Sequence, residues 1–227
     1  ESPSDDNINP YYSEYGQSAE GEYAIQYREL GYNEWSSLPG TKNEIENIQK
    51  YIASVDVYEG AMASESNIKE ISESGKLNEY KILHFATHGL LVADRPELNA
   101  LVLSKSANDS VEDGYLRTSE ILGLDLSAEL VNLSACETVL GKSYMAEGVI
   151  GLTRSFFLSG AGGVSATLWP VDDNATATFM GIFYNYISED LPVDQAFNES
   201  KKEFISGLHG EEYKKPYYWA PFVYYGK

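Results

Sequence analysis

The chain has 227 residues, 43% of them apolar, and a formal net charge of −19. That is enough apolar material for one large core or two small ones, and the charge disfavours direct binding of nucleic acid. The acidic surface would attract basic partners or serve solubility alone. A single cysteine excludes an internal disulfide and a zinc site built from several cysteines.

No run of the sequence approaches 18 apolar residues, so we predict no membrane-spanning helix or membrane contact and expect a cytoplasmic location. The chain begins at Glu1 without a signal-peptide pattern, and we expect it to be a piece of a longer or processed protein.

Local patterns along the chain predict alternating strands and helices. Residues 1–20 are polar, acidic and aperiodic, which predicts a flexible linker or tail before one domain over 21–227. Residues 23–39 carry strand-like aromatics, and a helix is predicted from Thr41, which forms a capping-box pattern with Glu44. Further helices are predicted over 64–76, 116–124, 145–159, 174–188 and 193–207, and strands over 54–60, 79–86, 100–104, 129–135, 163–169 and 217–226, the last at a sheet edge.

This alternation indicates an α/β fold with a mostly parallel sheet covered by helices on both faces. Active groups in such sheets lie at the carboxyl ends of strands. Two predicted strands end in chemically capable residues. One runs into His88 and Gly89, and the other runs into Cys136.

The stretch HFATHG (84–89) suggests either a zinc site or a catalytic base. A helical zinc motif needs glutamate directly after its first histidine, but Phe85 follows His84. On a strand, His84 and His88 would lie about 13 Å apart, which is too far for ligands of one ion. We therefore expect no metal or other cofactor, and we expect His84 to be a core or supporting histidine.

The alternative is a His–Cys pair. A thiolate nucleophile needs a nearby imidazole, together with backbone N–H donors for the developing oxyanion. His88 supplies the imidazole and Cys136 the thiol, and the N–H groups of Gly89 and Cys136 are the natural donors. The competing interpretation is a buried structural cysteine and a hydrogen-bonded core histidine.

Several ordered motifs resemble the CHAT domain family, which is grouped with caspases, separases and gingipains. The resemblance runs from about residue 37 to the C-terminus, and RELGYNEWSSLPG (28–40) departs from the family's usual opening. It implies a caspase-like fold with His88 and Cys136 as the catalytic pair of a cysteine endopeptidase. The motifs are ILHFATHG (82–89), PELNALVLS (96–104), GYLRTSEILGLDL (114–126), LVNLSACETVLG (130–141), EGVIGLTRSFFLSGAGGVSATLWPVDDNATATFMGIFY (147–184) and YWAPFVYYG (218–226).

The resemblance also implies a substrate class. In separase-like relatives, an aspartate after the Leu-Trp segment binds a basic side chain. That position matches Asp173, with Asp172 as the near alternative, so cleavage after Arg or Lys is expected. Either aspartate could instead be an ordinary helix N-cap. The backbone of residues 167–169 (Thr167, Leu168, Trp169) could pair with an extended substrate.

CHAT domains commonly follow helical repeats or other sensor modules in bacterial stress and defence systems. The resemblance therefore implies a protein substrate and an upstream sensor or helical-repeat partner, which could lie on the same full-length chain. The rival function is a catalytically silent caspase-like interaction module in a signalling or defence complex.

Overall fold

A computed structural model of the chain describes residues 22–32, 35–92, 94–105, 112–134, 136–140 and 145–226. The helices are α1 (Glu22–Glu29), α2 (Pro39–Tyr51), α3 (Glu65–Glu73), α4 (Thr118–Ile121), α5 (Met145–Leu158), α6 (Asp173–Ser188), α7 (Val193–Ser206) and α8 (Pro216–Trp219), with 3₁₀ turns at Gly60–Met62, Lys76–Glu79, Pro96–Leu98 and Glu211–Lys214. The strands are β1 (Ile82–Phe85), β2 (His88–Val92), β3 (Ala100–Val102), β4 (Tyr115–Arg117), β5 (Leu130–Leu133), β6 (Cys136–Leu140), β7 (Gly163–Thr167) and β8 (Phe222–Gly226).

The strands form two sheets that share a pair of chain segments. The first has the order β1-β5-β7-β8, parallel except for its edge strand β8. The second has the order β4-β3-β2-β6, in which β2 and β6 are parallel. The predicted α/β class with a mostly parallel central sheet is confirmed.

The two sheets are continuations of one another. The segment of β1 resumes as β2 and the segment of β5 resumes as β6. Ile82 pairs with Leu130 before the break and His88 pairs with Cys136 after it. Partners are separated by the same 48 residues on both sides, as His84 and Asn132 are. The break therefore leaves the register of the strand pair unchanged.

The first sheet lies between two apolar cores, as expected for a sheet with helices on both faces. On one face Leu83, Val131 and Val164 join the core of α3, α4 and α5. On the other, Leu130 and Phe222 join the core of α2, α6 and α7. A third core packs aromatic side chains from α1 and the segment after it on the second sheet, using Tyr27, Tyr32, Trp35, Leu90, Val92, Leu98 and Val102.

The structure corrects several predicted elements. The segment predicted as strand over 23–39 contains the helix α1, because its aromatics lie at helical spacing and Tyr27 is the one that is fully buried. Residues 54–60 form no strand. The helix predicted over 116–124 is a strand, β4, followed by the single turn α4.

The predicted capping box at Thr41 is wrong. Helix α2 begins two residues earlier, at Pro39, whose missing N–H and fixed φ suit the first helical position. Glu44 is instead buried against the sheet. The predicted tail lies outside the described residues. No helix in the described part of the chain is both long and apolar enough to cross a bilayer.

Candidate active site

The two residues of the predicted dyad lie opposite each other on neighbouring strands. His88 is the first residue of β2, Cys136 is the first residue of β6, and they are Cα partners in the parallel ladder. Adjacent strands are about 5 Å apart. The fold therefore brings the backbone at His88 and the backbone at Cys136 together, at the point where both strands resume.

The imidazole of His88 is held by the segment before α2. Its Nε2 lies 2.8 Å from the carbonyl oxygen of Ser36, and its ring lies 5.0 Å from the ring of Trp35, centroid to centroid. A carbonyl oxygen only accepts, so Nε2 carries the hydrogen and Nδ1 keeps its lone pair in the neutral ring. The Ser36 carbonyl therefore selects one tautomer of His88.

Burial lowers the pKa of His88 below its usual value, since the residue is only 8% exposed and the imidazolium form is penalised. The hydrogen bond to Ser36 and the negative charge of Asp173 oppose this shift. Because the net direction is downward, the imidazole is neutral at neutral pH, as a general base must be.

Gly89 lies inside the second sheet. It pairs with Leu101 on one side and with Glu137 on the other. A central strand directs each N–H towards one neighbour or the other. Gly89 also lines an internal cavity of about 10 Å³ together with Thr167, so the end of β7 approaches the start of β2.

Asp173 connects two helices. It is the first residue of α6, and its Oδ2 accepts a hydrogen bond from the Gly40 N–H at 3.4 Å. Gly40 lies in the first turn of α2, whose N-cap Leu38 offers no side-chain bond. A carboxylate satisfies an unpaired N–H there and is favoured by the helix dipole. Asp173 therefore caps α2 from the neighbouring helix while staying close enough to act on His88.

Asp172 has a local role. It is the N-cap of α6, and its Oδ1 accepts from the N–H groups of Asn174 and Ala175 at 3.1 and 3.2 Å. This is the ordinary capping alternative that the sequence left open, and it accounts for Asp172 without a substrate.

An open cleft of about 400 Å³ lies between the first turns of α2 and α6. Its volume is in the range of small-ligand sites, and both candidate aspartates line it. The complete lining is Pro39, Gly40, Asn43, Val171, Asp172, Asp173 and Asn174.

The segment predicted to pair with substrate is partly occupied by other contacts. Thr167 ends β7 opposite Phe222, and the Leu168 N–H donates to the Pro221 carbonyl at 2.9 Å. The indole N–H of Trp169 donates to the carbonyl of Tyr217 at 3.1 Å. Because the Leu168 N–H already bonds to the segment that leads into β8, an extended peptide would have to bind along the opposite backbone edge of residues 167–169.

The two histidines of HFATHG have separate partners. His88 bonds to Ser36, whereas His84 lies beneath α2 and α6, where its ring nitrogens contact Glu44, Asn132 and Tyr184. The two histidines therefore belong to separate groups of contacts and do not form one site.

One group of carboxylates among the described residues has metal-ligand spacing, but a lysine fills it. Glu65, Glu112 and Glu120 bring one oxygen each within 4.8 Å of one another. The Lys69 ammonium lies 2.7, 2.7 and 3.0 Å from those three residues. The cluster is therefore an ion-pair network around Lys69.

Sequence reasoning missed the residues that contact His88 and Asp173. Ser36 acts through its backbone carbonyl, which leaves no residue-type signal. Trp35 and Gly40 precede or begin α2, and the Pro39-Gly40 pair could have indicated the true helix start. Reading the helix from Thr41 hid both contacts.

The parallel sheet, the helical layers and the paired His and Cys positions define a caspase-like α/β domain. The chain belongs to the CHAT domain family, whose model matches residues 19–227 and which is grouped with the caspases. It is 25% identical over 222 residues to tetratricopeptide repeat protein 28 of Mus musculus, covering 85% of this chain and 9% of that protein. It is 25% identical over 227 residues to tetratricopeptide repeat protein 28 of Homo sapiens, covering 85% of this chain and 8% of that protein.

The chain spans less than a tenth of the length of these curated relatives. Both are named for the tetratricopeptide repeat, a helix–turn–helix unit. The relatives are thus consistent with a helical-repeat module accompanying a CHAT domain on one chain.

Proposed function

We propose that this domain is a cysteine endopeptidase with His88 as general base and Cys136 as nucleophile. The single observation that carries the proposal is their pairing across β2 and β6. Paired positions on adjacent strands share one face of a sheet, which is the placement a dyad needs. The family's relation to caspase-like peptidases supports the same chemistry.

The reaction uses the tautomer that Ser36 selects. Nδ1 of His88 takes the proton of the Cys136 thiol, and the thiolate attacks the scissile carbonyl. The imidazolium then protonates the leaving amine, which leaves an acyl-enzyme that water hydrolyses. The N–H groups of Gly89 and Cys136 stabilise the oxyanion.

The substrate residue before the cut is basic. Asp173 lines the cleft and acts on His88, so an arginine or lysine bound there would lie beside the dyad. A carboxylate meets a guanidinium through two parallel hydrogen bonds. Asp172 is the second choice, because its Oδ1 already caps α6. The edge of Thr167, Leu168 and Trp169 opposite β8 holds the peptide backbone.

We further propose that a helical-repeat or other sensor module, on the same chain or on a partner, switches the peptidase on towards a specific protein. The repeat-containing relatives support such a module. A stress or defence setting in bacteria and a cytoplasmic location stay predictions from the resemblance and the sequence.

The deciding experiment measures cleavage of fluorogenic peptides ending in Arg or Lys. Wild type is compared with Cys136→Ala, His88→Asn and the control His209→Asn, whose imidazole pairs with Glu203 on the surface. Activity should vanish in the first two variants and persist in the control. Undiminished cleavage by Cys136→Ala would contradict the proposal. An electrophilic peptide ketone with a basic residue should label Cys136 by mass spectrometry even where turnover is slow.

The second candidate is a silent module that docks a partner. The net charge of −19 and the enclosed position of Gly89 favour it. This function predicts salt-dependent binding of basic peptides by calorimetry that Cys136→Ala leaves unchanged, together with no covalent labelling of wild type.

A further inference from the structure

A row of polar side chains crosses the buried face of the first sheet beneath α2 and α6. His84, Asn132 and Ser165 are successive register partners on β1, β5 and β7. Ser165 Oγ donates to Asn132 Oδ1 at 2.5 Å, and Asn132 Nδ2 donates to His84 Nδ1 at 2.9 Å. The hydroxyl of Tyr184 lies 2.9 Å from the same Nδ1. The proposed peptidase chemistry uses none of these groups.

Glu44 on α2 reaches the end of this row. Its Oε1 lies 3.0 Å from His84 Nε2, and the residue is only 4% exposed. Because the amide of Asn132 donates to Nδ1, the hydrogen of the neutral ring is on Nε2, the ring nitrogen nearer the carboxylate. The two atoms are not aligned for a hydrogen bond, and neither has another hydrogen-bond partner among the described residues.

A buried pair of this kind is a poor way to gain stability. Removing two polar groups from water is unfavourable, and apolar side chains of similar volume usually hold a helix on a sheet equally well or better. A buried polar contact that is incompletely satisfied calls for an explanation other than stability. The position of α2 suggests one.

The start of α2 supports both parts of the candidate site. One turn before Glu44, the Gly40 N–H binds the Asp173 carboxylate. Just before the helix, the Ser36 carbonyl holds Nε2 of His88. Both contacts are made by backbone groups, so they depend on where the helix sits along the sheet.

We propose that Glu44 and His84 are positioning residues that fix α2 on the sheet and thereby keep the Ser36 carbonyl on His88 and the Gly40 amide on Asp173. An imidazole has a defined place in the ladder, and a carboxylate drawn to it sets the position of the helix more narrowly than a nondirectional apolar contact. The inference rests on the proposed function only in that His88 is the base.

The test measures the tautomer of His88 by long-range ¹H–¹⁵N spectra of histidine-labelled protein. The chain has only three histidines, so the signals are readily assigned. Wild type should show His88 with its proton fixed on Nε2. Glu44→Met should give averaged tautomers and lower kcat for an Arg peptide by up to roughly 100-fold, the scale for a misplaced catalytic group. Glu44→Gln, which keeps an acceptor beside His84, should restore the single tautomer.

The matched control is Ile48→Ala, which weakens the buried face of the same helix one turn later. It should lower the melting temperature and leave the His88 tautomer unchanged. If Glu44→Met does not fold, Glu44→Asp decides, because it keeps the charge but loses reach and should also release His88. An unchanged His88 signal in folded Glu44→Met or Glu44→Asp, or an equal loss of the single tautomer in Ile48→Ala, overturns the inference. If His88 responds as expected but wild type cleaves nothing, only the proposed function is lost.

Discussion

The carboxylate of Asp173 and the amide of Gly40 lie 3.4 Å apart and join the first turn of α6 to the first turn of α2. The contact caps one helix and places a negative charge at the cleft and near His88. Asparagine at 173 would retain a hydrogen-bond acceptor and remove the charge, so one substitution separates the two effects.

We expect Asp173→Asn to cost about 0.3–1 kcal/mol of folding free energy, the value of a charge at a helix terminus. The negative charge of Asp173 raises the pKa of His88, so removing that charge should lower the pKa of His88 further. A base with a lower pKa stays neutral to lower pH, so the acid limb of kcat/KM should move to lower pH. KM for an Arg peptide should rise at the same time, measured by steady-state kinetics.

Asp172→Asn is the control for that substitution. Asparagine is as good an N-cap as aspartate, so stability and KM should both be nearly unchanged. A rise in KM for Asp172→Asn without one for Asp173→Asn would show that Asp172, and not Asp173, binds the basic side chain of the substrate.

The close approach of α2 and α6 gives a packing prediction. A Cβ added to Gly40 would lie 2.5 Å from the Cβ of Asp173, so the helices must separate. We expect Gly40→Ala to destabilise the domain by about 1–3 kcal/mol, as overpacking does. Peptidase activity should fall with it, because both helices line the cleft.

Gly151→Ala on α5 provides the comparison, measured by the same urea titrations. Among the described residues outside its own helix, its added Cβ would meet only Asn99 Nδ2, at an ordinary 3.8 Å. Alanine favours the helix over glycine by about 0.5–1 kcal/mol, so this variant should be neutral or more stable. Equal losses in the two variants would mean that the contact at Gly40 is not special.

The indole of Trp35 packs beside the imidazole of His88. Trp35 is 5% exposed, and its ring centroid lies 5.0 Å from that of His88. Trp35→Leu should admit water, weaken the burial that lowers the pKa of His88, and so raise that pKa. The acid limb should move to higher pH, opposite to Asp173→Asn, and stability should fall by about 2–4 kcal/mol.

His88 can be titrated directly by NMR in this variant. Trp219→Leu is the control, because Trp219 packs against the separate core of α6 and α7 and should not alter the titration. A His88 pKa that is the same in wild type and Trp35→Leu would show that the indole does not set it.

The network around Lys69 predicts a pH-dependent stability. Burial raises the pKa of Glu65 to about 9, with Glu120 adding to the rise. Between its ordinary value of 4.5 and about 9, the folded state holds a proton that the unfolded state has released. The free energy of unfolding should therefore fall as pH rises across this window.

Glu65→Gln is neutral at every pH and should flatten that slope in urea titrations between about pH 5 and 9. Glu199→Gln, which alters only the surface pair with Lys202, should keep the wild-type slope. Parallel slopes for wild type and Glu65→Gln would contradict the raised pKa.

The helices with long apolar patterns were predictable from the sequence. The predicted ranges for α5, α6 and α7 differ from the structure by at most one residue at each end, because a sustained 3.6-residue period has few alternatives. The errors fall where tertiary contacts decide. Tyr23 and Tyr27 were interpreted as strand residues, but they lie on helix α1. The preference of aromatic residues for strands depends on their packing, which the local sequence does not show.

Sequence motifs pointed to the candidate catalytic residues. They did not predict the strand register or the contacts that hold those residues in place. His88 and Cys136 stand out by residue type, whereas their register is a long-range property. The breaks after β1 and β5 hid β2 and β6 in the sequence. Glu44 fitted a local cap pattern and is used instead for a contact with His84, which local rules do not foresee.

The same number of residues separates β1 from β2 and β5 from β6, so the pairing of the first two strands sets the pairing of His88 with Cys136. Residues can be added in the connection between β4 and β5 without changing the pairing of His88 with Cys136. Losing one residue from a single break would slide one strand by a step and turn every following side chain to the opposite face. We therefore expect a one-residue deletion at either break to move position 88 out of register with position 136 in a protein that still folds, whereas matched deletions at both breaks should keep the two positions paired.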